Sequence, residues 1–134
     1  MTLRAAPFRA VFMRAGAALS ICLAWWGLAF AHAVVVESSP REGARLTSPP
    51  REIVLRFNAR IEKSLTRLTL AAHDGKVVKL PALPQGKAGE AADEILVIPL
   101  PPLAPGSYSL RYKIFATDGH ATLGILRFSV AGGP

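Results

Sequence analysis

The sequence predicts an all-β domain, an antiparallel sandwich of about seven short strands joined by Greek-key connections. From Ala33 onward apolar residues come in short runs separated by Pro, Gly and charge, and no dozen-residue window shows a period of 3.6. The runs are rich in Val, Ile, Leu, Phe and Tyr, and several alternate apolar with polar residues, as half-buried strands do. Roughly seven such runs within about 100 residues are the signature of an antiparallel sandwich.

Residues 1–31 do not read as part of that domain. Arg4, Arg9 and Arg14 make a basic start without any acid, and the apolar run from Ala15 to Leu28 is short for a membrane span. Ala29-Phe30-Ala31 supplies a small-x-small cleavage pattern. A cleaved secretory signal peptide is expected, leaving residues 32–134 as one domain; an uncleaved anchor is the alternative.

Within that domain Ala33-Val34-Val35-Val36-Glu37 is a β-branched first strand closed by Ser38-Ser39-Pro40. After the turn-prone Arg41-Glu42-Gly43 and Pro49-Pro50, the run Glu52–Phe57 puts Ile53, Leu55 and Phe57 on one face. Arg67–Ala72 and Lys76–Leu80 flank His73-Asp74-Gly75, a hairpin turn. The Pro- and Gly-containing stretch Pro81–Asp93 reads as a mobile surface loop. Glu94–Ile98 is a strand, and the prolines between Pro99 and Gly106 rule out a central one. Ser107–Phe115 turns Tyr108, Leu110, Tyr112 and Ile114 inward, and Gly124–Val130 does the same with Leu126, Phe128 and Val130.

The only cysteine, Cys22, and both methionines, Met1 and Met13, lie in the removable segment. No disulfide can hold the exported domain, so apolar packing must. Neither is a thiolate or thioether present to serve as a soft metal ligand. Charge is moderate: 13 basic and nine acidic residues remain after residue 31, a net +4 against +7 for the whole chain. The interleaving of Arg41, Arg45, Arg51 and Arg56 with Glu42 and Glu52 reads as a solvated surface, not a nucleic-acid patch.

Chemistry concentrates at the two ends of the domain. Cleavage after Ala31 would make His32 the first residue, whose free amine and imidazole can chelate one metal ion together. Ala116-Thr117-Asp118-Gly119-His120 would complete the site, because in an extended backbone residues i and i+2 point to one side. Asp118 would then bring a carboxylate and His120 an imidazole. Amine, imidazole and carboxylate donors suit Cu(II). Read alone, Asp118-Gly119 is a turn and His120 an ordinary half-buried residue; the cleavage pattern just before His32 favours the metal site. His73, beside Asp74-Gly75, reads as an exposed turn residue.

Taken together, the N-terminal histidine, Ser39-Pro40, Leu55-Arg56-Phe57, Leu103-Ala104-Pro105-Gly106-Ser107-Tyr108 and Asp118-Gly119-His120 with Gly124 and Phe128 resemble the CopC-type periplasmic copper-resistance proteins. The resemblance covers the whole of residues 32–134. It implies an immunoglobulin-like sandwich or barrel that binds Cu(II) through His32, Asp118 and His120. It also implies a periplasmic carrier or buffer without catalysis, delivering copper to a CopD-like inner-membrane transporter; a monomer is expected, and no nucleic acid. Three departures stand out. Ala59 occupies a position where the family often has an acid near copper, with Glu62 close by in sequence. Tyr112 replaces a usual tryptophan, and no methionine-rich Cu(I) site can exist. An N-terminal histidine brace also resembles that of copper-dependent oxidative enzymes, and a plain interaction module is the third reading. No G-x-S-x-G or glycine-rich phosphate loop points elsewhere.

Overall fold

The computed structural model of the chain describes residues 32–84 and 92–132. The expected signal segment, residues 1–31, and most of the expected mobile loop, residues 85–91, lie outside them. The described part belongs to a compact unit that begins at His32.

Among the described residues eight strands form two sheets, one ordered β1-β3-β6 and the other β2-β8-β7-β4-β5. They are β1 (Val35–Ser39), β2 (Ala44–Leu46), β3 (Glu52–Phe57), β4 (Arg67–Ala72), β5 (Val77–Val78), β6 (Ile95–Pro99), β7 (Gly106–Phe115) and β8 (Ala121–Val130). Alternation decides which face each buries. Ile53, Leu55 and Phe57 of β3, with Leu96 and Ile98 of β6, meet Leu70 of β4, Leu110 and Ile114 of β7, and Leu126, Phe128 and Val130 of β8. No charged or polar residue is fully buried among the described ones. Burying each of these large side chains is worth about 1.5–3 kcal/mol, which is how a domain without sulfur holds together.

The two-sheet all-β sandwich agrees with the expectation, and one pairing within it is parallel. β2, absent from the sequence reading, pairs parallel with β8, Ala44 to Leu46 against Phe128 to Val130. The first stretch of chain is thus shared between sheets, β1 pairing with β3 and β2 crossing to the edge beside β8. Gly43 N–H donating to Arg127 O (2.8 Å) and Ala131 N–H to Leu46 O (2.8 Å) fasten its two ends. β8 also starts three residues earlier than expected, at Ala121, because all ten of its residues have partners on β7.

Tyr108, at the start of β7, donates its hydroxyl to Ala104 O at 2.6 Å and stacks on Phe128 with centroids 5.6 Å apart. That anchors the proline-rich connection to the sheet, the tyrosine-corner arrangement of immunoglobulin-like sandwiches. Tyr112, cross-strand from Gly124, is half-buried, and burial raises its hydroxyl pKa, with the charge of Glu42 adding to the effect.

Candidate metal centre

The β7–β8 hairpin ends in a three-residue loop, Thr117-Asp118-Gly119. Ala116 N–H donates to His120 O (2.9 Å) and Gly119 N–H to Ala116 O (2.9 Å). Closing so short a loop needs a left-handed residue, and Gly119 supplies it at φ +89°. Asp118 and His120 therefore sit on a tight turn and not on the extended strand that the i, i+2 argument assumed. They converge all the same. Asp118 Oδ1 accepts the backbone N–H of His120 at 3.0 Å and lies 3.1 Å from His120 Nδ1.

Those contacts explain the acidity of Asp118. The His120 backbone N–H holds its pKa below the usual carboxylate value; exposure being high, burial opposes this only in part, and the His120 imidazole and the charge of His32 push the same way as the N–H. Asp118 thus stays ionised into mildly acid solution. Both side chains are open to solvent, 41% exposed for Asp118 and 55% for His120.

His32 reaches the same place from the other end of the domain. Its ring centroid lies 5.3 Å from that of His120, with the planes inclined at 56°. The cause is local. Ala33 is fully buried, Val34 N–H donates to Asn58 Oδ1 (2.7 Å), and Asn58 N–H donates to Val34 O (3.0 Å). Both backbone groups of residue 34 are held, so His32 has little room to wander.

One stretch, Asn58–Glu62, ties the two halves together. Asn58 grips Val34, Arg60 O accepts Thr117 N–H (3.1 Å), Ile61 bridges Ala116, and Glu62 N–H donates to Phe115 O (2.8 Å). Asp93 braces the stretch from outside, 3.1 Å from Arg60 Nη2, while its carbonyl accepts Ile61 N–H at 2.9 Å. Sequence reasoning missed Asn58 altogether. An Asn after a strand-ending Phe57 reads as a turn former, and a partner 24 residues away leaves no local trace.

The turn alone does not make a metal site, and the domain contains its own control. Ala72-His73-Asp74-Gly75-Lys76 repeats the construction: Ala72 N–H donates to Lys76 O and Gly75 N–H to Ala72 O, both at 2.9 Å, with Gly75 at φ +83°. Asp74 Oδ1 accepts Lys76 N–H at 3.1 Å, and Lys76 Nζ lies 3.0 Å from Asp74 Oδ2. His73 is an exposed residue of this second turn. What distinguishes the first turn is an imidazole at position 120 and a second one, His32, beside it. Among the described residues no three His, Asp or Glu side chains already form a closed metal cage. The donors stand next to one another with the carboxylate engaged by His120.

A CopC domain profile matches residues 35–131. The chain is 33% identical to copper resistance protein C of Xanthomonas campestris pv. juglandis over 105 residues, covering 76% of this chain and 82% of that one. It is 28% identical to the copper transport protein CutJ of Bacillus subtilis over 102 residues, which are 75% of this chain and 18% of CutJ. The crystal structure of CopC from Methylosinus trichosporium OB3b superposes with a TM-score of 0.66 at 26% identity, over 75% of this chain and 94% of that one. With the sandwich, the profile and these relatives in agreement, the chain belongs to the CopC domain family of copper-resistance proteins.

Proposed function

We propose that the processed protein binds one Cu(II) ion at the end of the β7–β8 hairpin, as a periplasmic carrier or buffer that hands copper to an inner-membrane transporter. The ligands are the amine and imidazole of His32, the carboxylate of Asp118 and the imidazole of His120. The observation that carries this is the 5.3 Å approach of the His32 and His120 rings beside a carboxylate held ionised. Nitrogen and oxygen donors without sulfur suit Cu(II) over Cu(I). Binding must displace a proton from the α-amine, so affinity declines in acid. Copper enters as cargo, and the exposure of the site lets it be exchanged without opening the fold. Family membership places the chain among non-catalytic copper binders, which sets aside the oxidative-enzyme alternative. A relative named a copper transport protein, in which the matching region is 18% of the length, supports the hand-over to a transporter.

The test is an alanine left in front of His32. The α-amine then becomes an amide without a basic lone pair, while Asp118 and His120 stay in place. Copper affinity is expected to drop at least as far as for His120→Ala, and Asp118→Asn, which keeps an oxygen, should cost less. Titration of proteins whose N-termini are verified by intact mass reads this directly. Equal affinity for the extended and processed forms would remove the amine from the site.

A further inference from the structure

We propose that the outer face of the five-stranded sheet, beside the candidate centre, docks on an anionic phospholipid surface. The proposal rests on side chains outside the copper ligands and goes beyond the copper reading. The strands β4, β7 and β8 that build this face contain no Asp or Glu. Outward positions carry Arg67 and Thr69 on β4, Arg111 and Lys113 on β7, and Leu123 and Ile125 on β8, and the register lines them up: Arg67 opposite Lys113 opposite Leu123, and Thr69 opposite Arg111 opposite Ile125. With steps of about 6.6 Å for alternate residues along a strand and about 4.8 Å between strands, three cations and two aliphatic side chains share a patch about 10 Å across.

Sheet stability does not account for this composition. Like charges directly opposite, as Arg67 and Lys113 are, destabilise a strand pair. Some exposed arginines of the sandwich do have an acidic partner. Arg56 is paired with Glu37 at 2.9 Å and Arg127 with Glu42 at 3.2 Å. Among the described residues Arg67, Arg111 and Lys113 form no ion pair; Lys113 Nζ lies instead 5.1 Å above the Phe115 ring. Leu123, 77% exposed, is the most exposed large apolar side chain among the described residues, with Ile125 at 42%. These six residues line a shallow, mostly apolar trough rimmed by cations.

An apolar trough with a cationic rim is complementary to an anionic amphiphile. A protein partner would call for a well-packed pocket to hold its anchors, whereas this trough is shallow and its most exposed large apolar residue is the aliphatic Leu123. Interfacial lipid binding needs only surplus cations and aliphatic tips that dip past the headgroups. Docking this way would hold the Ala116–His120 turn, which continues β7 directly beyond Lys113 and Phe115, at the bilayer surface.

The experiment is flotation of the copper-free processed domain, with chelator present, on vesicles of phosphatidylcholine with or without phosphatidylglycerol. Binding is expected only with phosphatidylglycerol, and it should be lost at high salt. Arg111→Gln with Lys113→Gln should lower partitioning about 30-fold, and Leu123→Ser should lower it further. The pair Arg51→Gln with Arg56→Gln removes the same charge from the other sheet and should cost less than about threefold, with circular dichroism confirming that all variants fold. Equal binding to neutral vesicles, or equal loss in both charge pairs, overturns the proposal. So does absence of vesicle binding with charge-dependent capture of an acidic protein, which would assign the face to a protein partner. Because no copper is present, failure here leaves the copper reading untouched, and the reverse holds as well.

Discussion

Replacing Gly119 by alanine, with Gly75→Ala as its twin, separates what the hairpin turn does for the fold from what it does for copper. Both glycines have left-handed φ, +89° and +83°, and a Cβ added at either would meet nothing within 4 Å. Neither substitution therefore causes a clash. The cost in each case is that of holding an L-residue at positive φ, about 1–2 kcal/mol, offset in small part by the stiffer unfolded chain. At about 4–8 °C per kcal/mol for a domain of this size, both variants should melt roughly 5–10 °C below the parent. Thermal unfolding with chelator present removes any stabilisation by bound metal. Copper titration then divides the pair. Gly75→Ala should bind Cu(II) as the parent does, whereas Gly119→Ala, by moving Asp118 away from His120, should lose about 10-fold or more. Equal copper affinity in the two variants would refute the idea that the Thr117–Gly119 loop sets the donor geometry. An unchanged melting temperature would refute the account of the turn itself.

Two further outcomes follow from side chains that the sequence did not bring forward. Asn58→Ala removes the acceptor for Val34 N–H; the exposed amide finds water, so stability should fall by only about 1 kcal/mol, while amide exchange at Val34 accelerates and copper affinity drops with the loosened His32. Asn58→Asp, which keeps an acceptor, should restore much of it. Thr122 Oγ1 is buried without a protein partner, and Thr122→Val, of the same shape, should raise stability by about 1 kcal/mol, read as a higher melting temperature; a lower one would mean that the hydroxyl has a partner after all.

Legibility in the sequence followed from whether a residue's structural partner was nearby. β3 and β4 could be bounded to the residue because Ile53, Leu55 and Phe57, and likewise Leu68 and Leu70, alternate with polar neighbours. Ala44-Arg45-Leu46 offers three residues and no alternation worth the name; it is a strand only because β8 runs beside it, and a parallel pairing at the edge has no local signal. Ala121–Leu123 escapes for a related reason: its short run before Gly124 has no clear alternation, and it is a strand because β7 holds it. At the candidate site the residues His32, Asp118 and His120 were legible as chemistry, while the physical reason for the convergence of Asp118 and His120 was not. A tight turn around Gly119 does what extended alternation was expected to do. The stretch Asn58–Glu62, which fastens both halves, acts mostly through backbone groups and so leaves no mark in side-chain chemistry.

This division of labour bears on stability as well as on copper. His32 leads into β1, which belongs to the three-stranded sheet, and the 116–120 turn belongs to the five-stranded one. At this end of the sandwich the two are joined by hydrogen bonds through Asn58, Arg60 and Glu62, in a domain with no cysteine after residue 22. A metal ion held by His32 and His120 together would clip one sheet to the other, as a disulfide does in many small secreted domains. Ligand binding of that kind stabilises the native state in proportion to the logarithm of free metal over its dissociation constant. The melting temperature of the processed protein should therefore rise with copper, and an added residue ahead of His32 should abolish most of that rise without changing the copper-free value. If the copper-free value changed instead, the N-terminus would be part of the packing, and the separation of fold from site at Ala33 would be wrong.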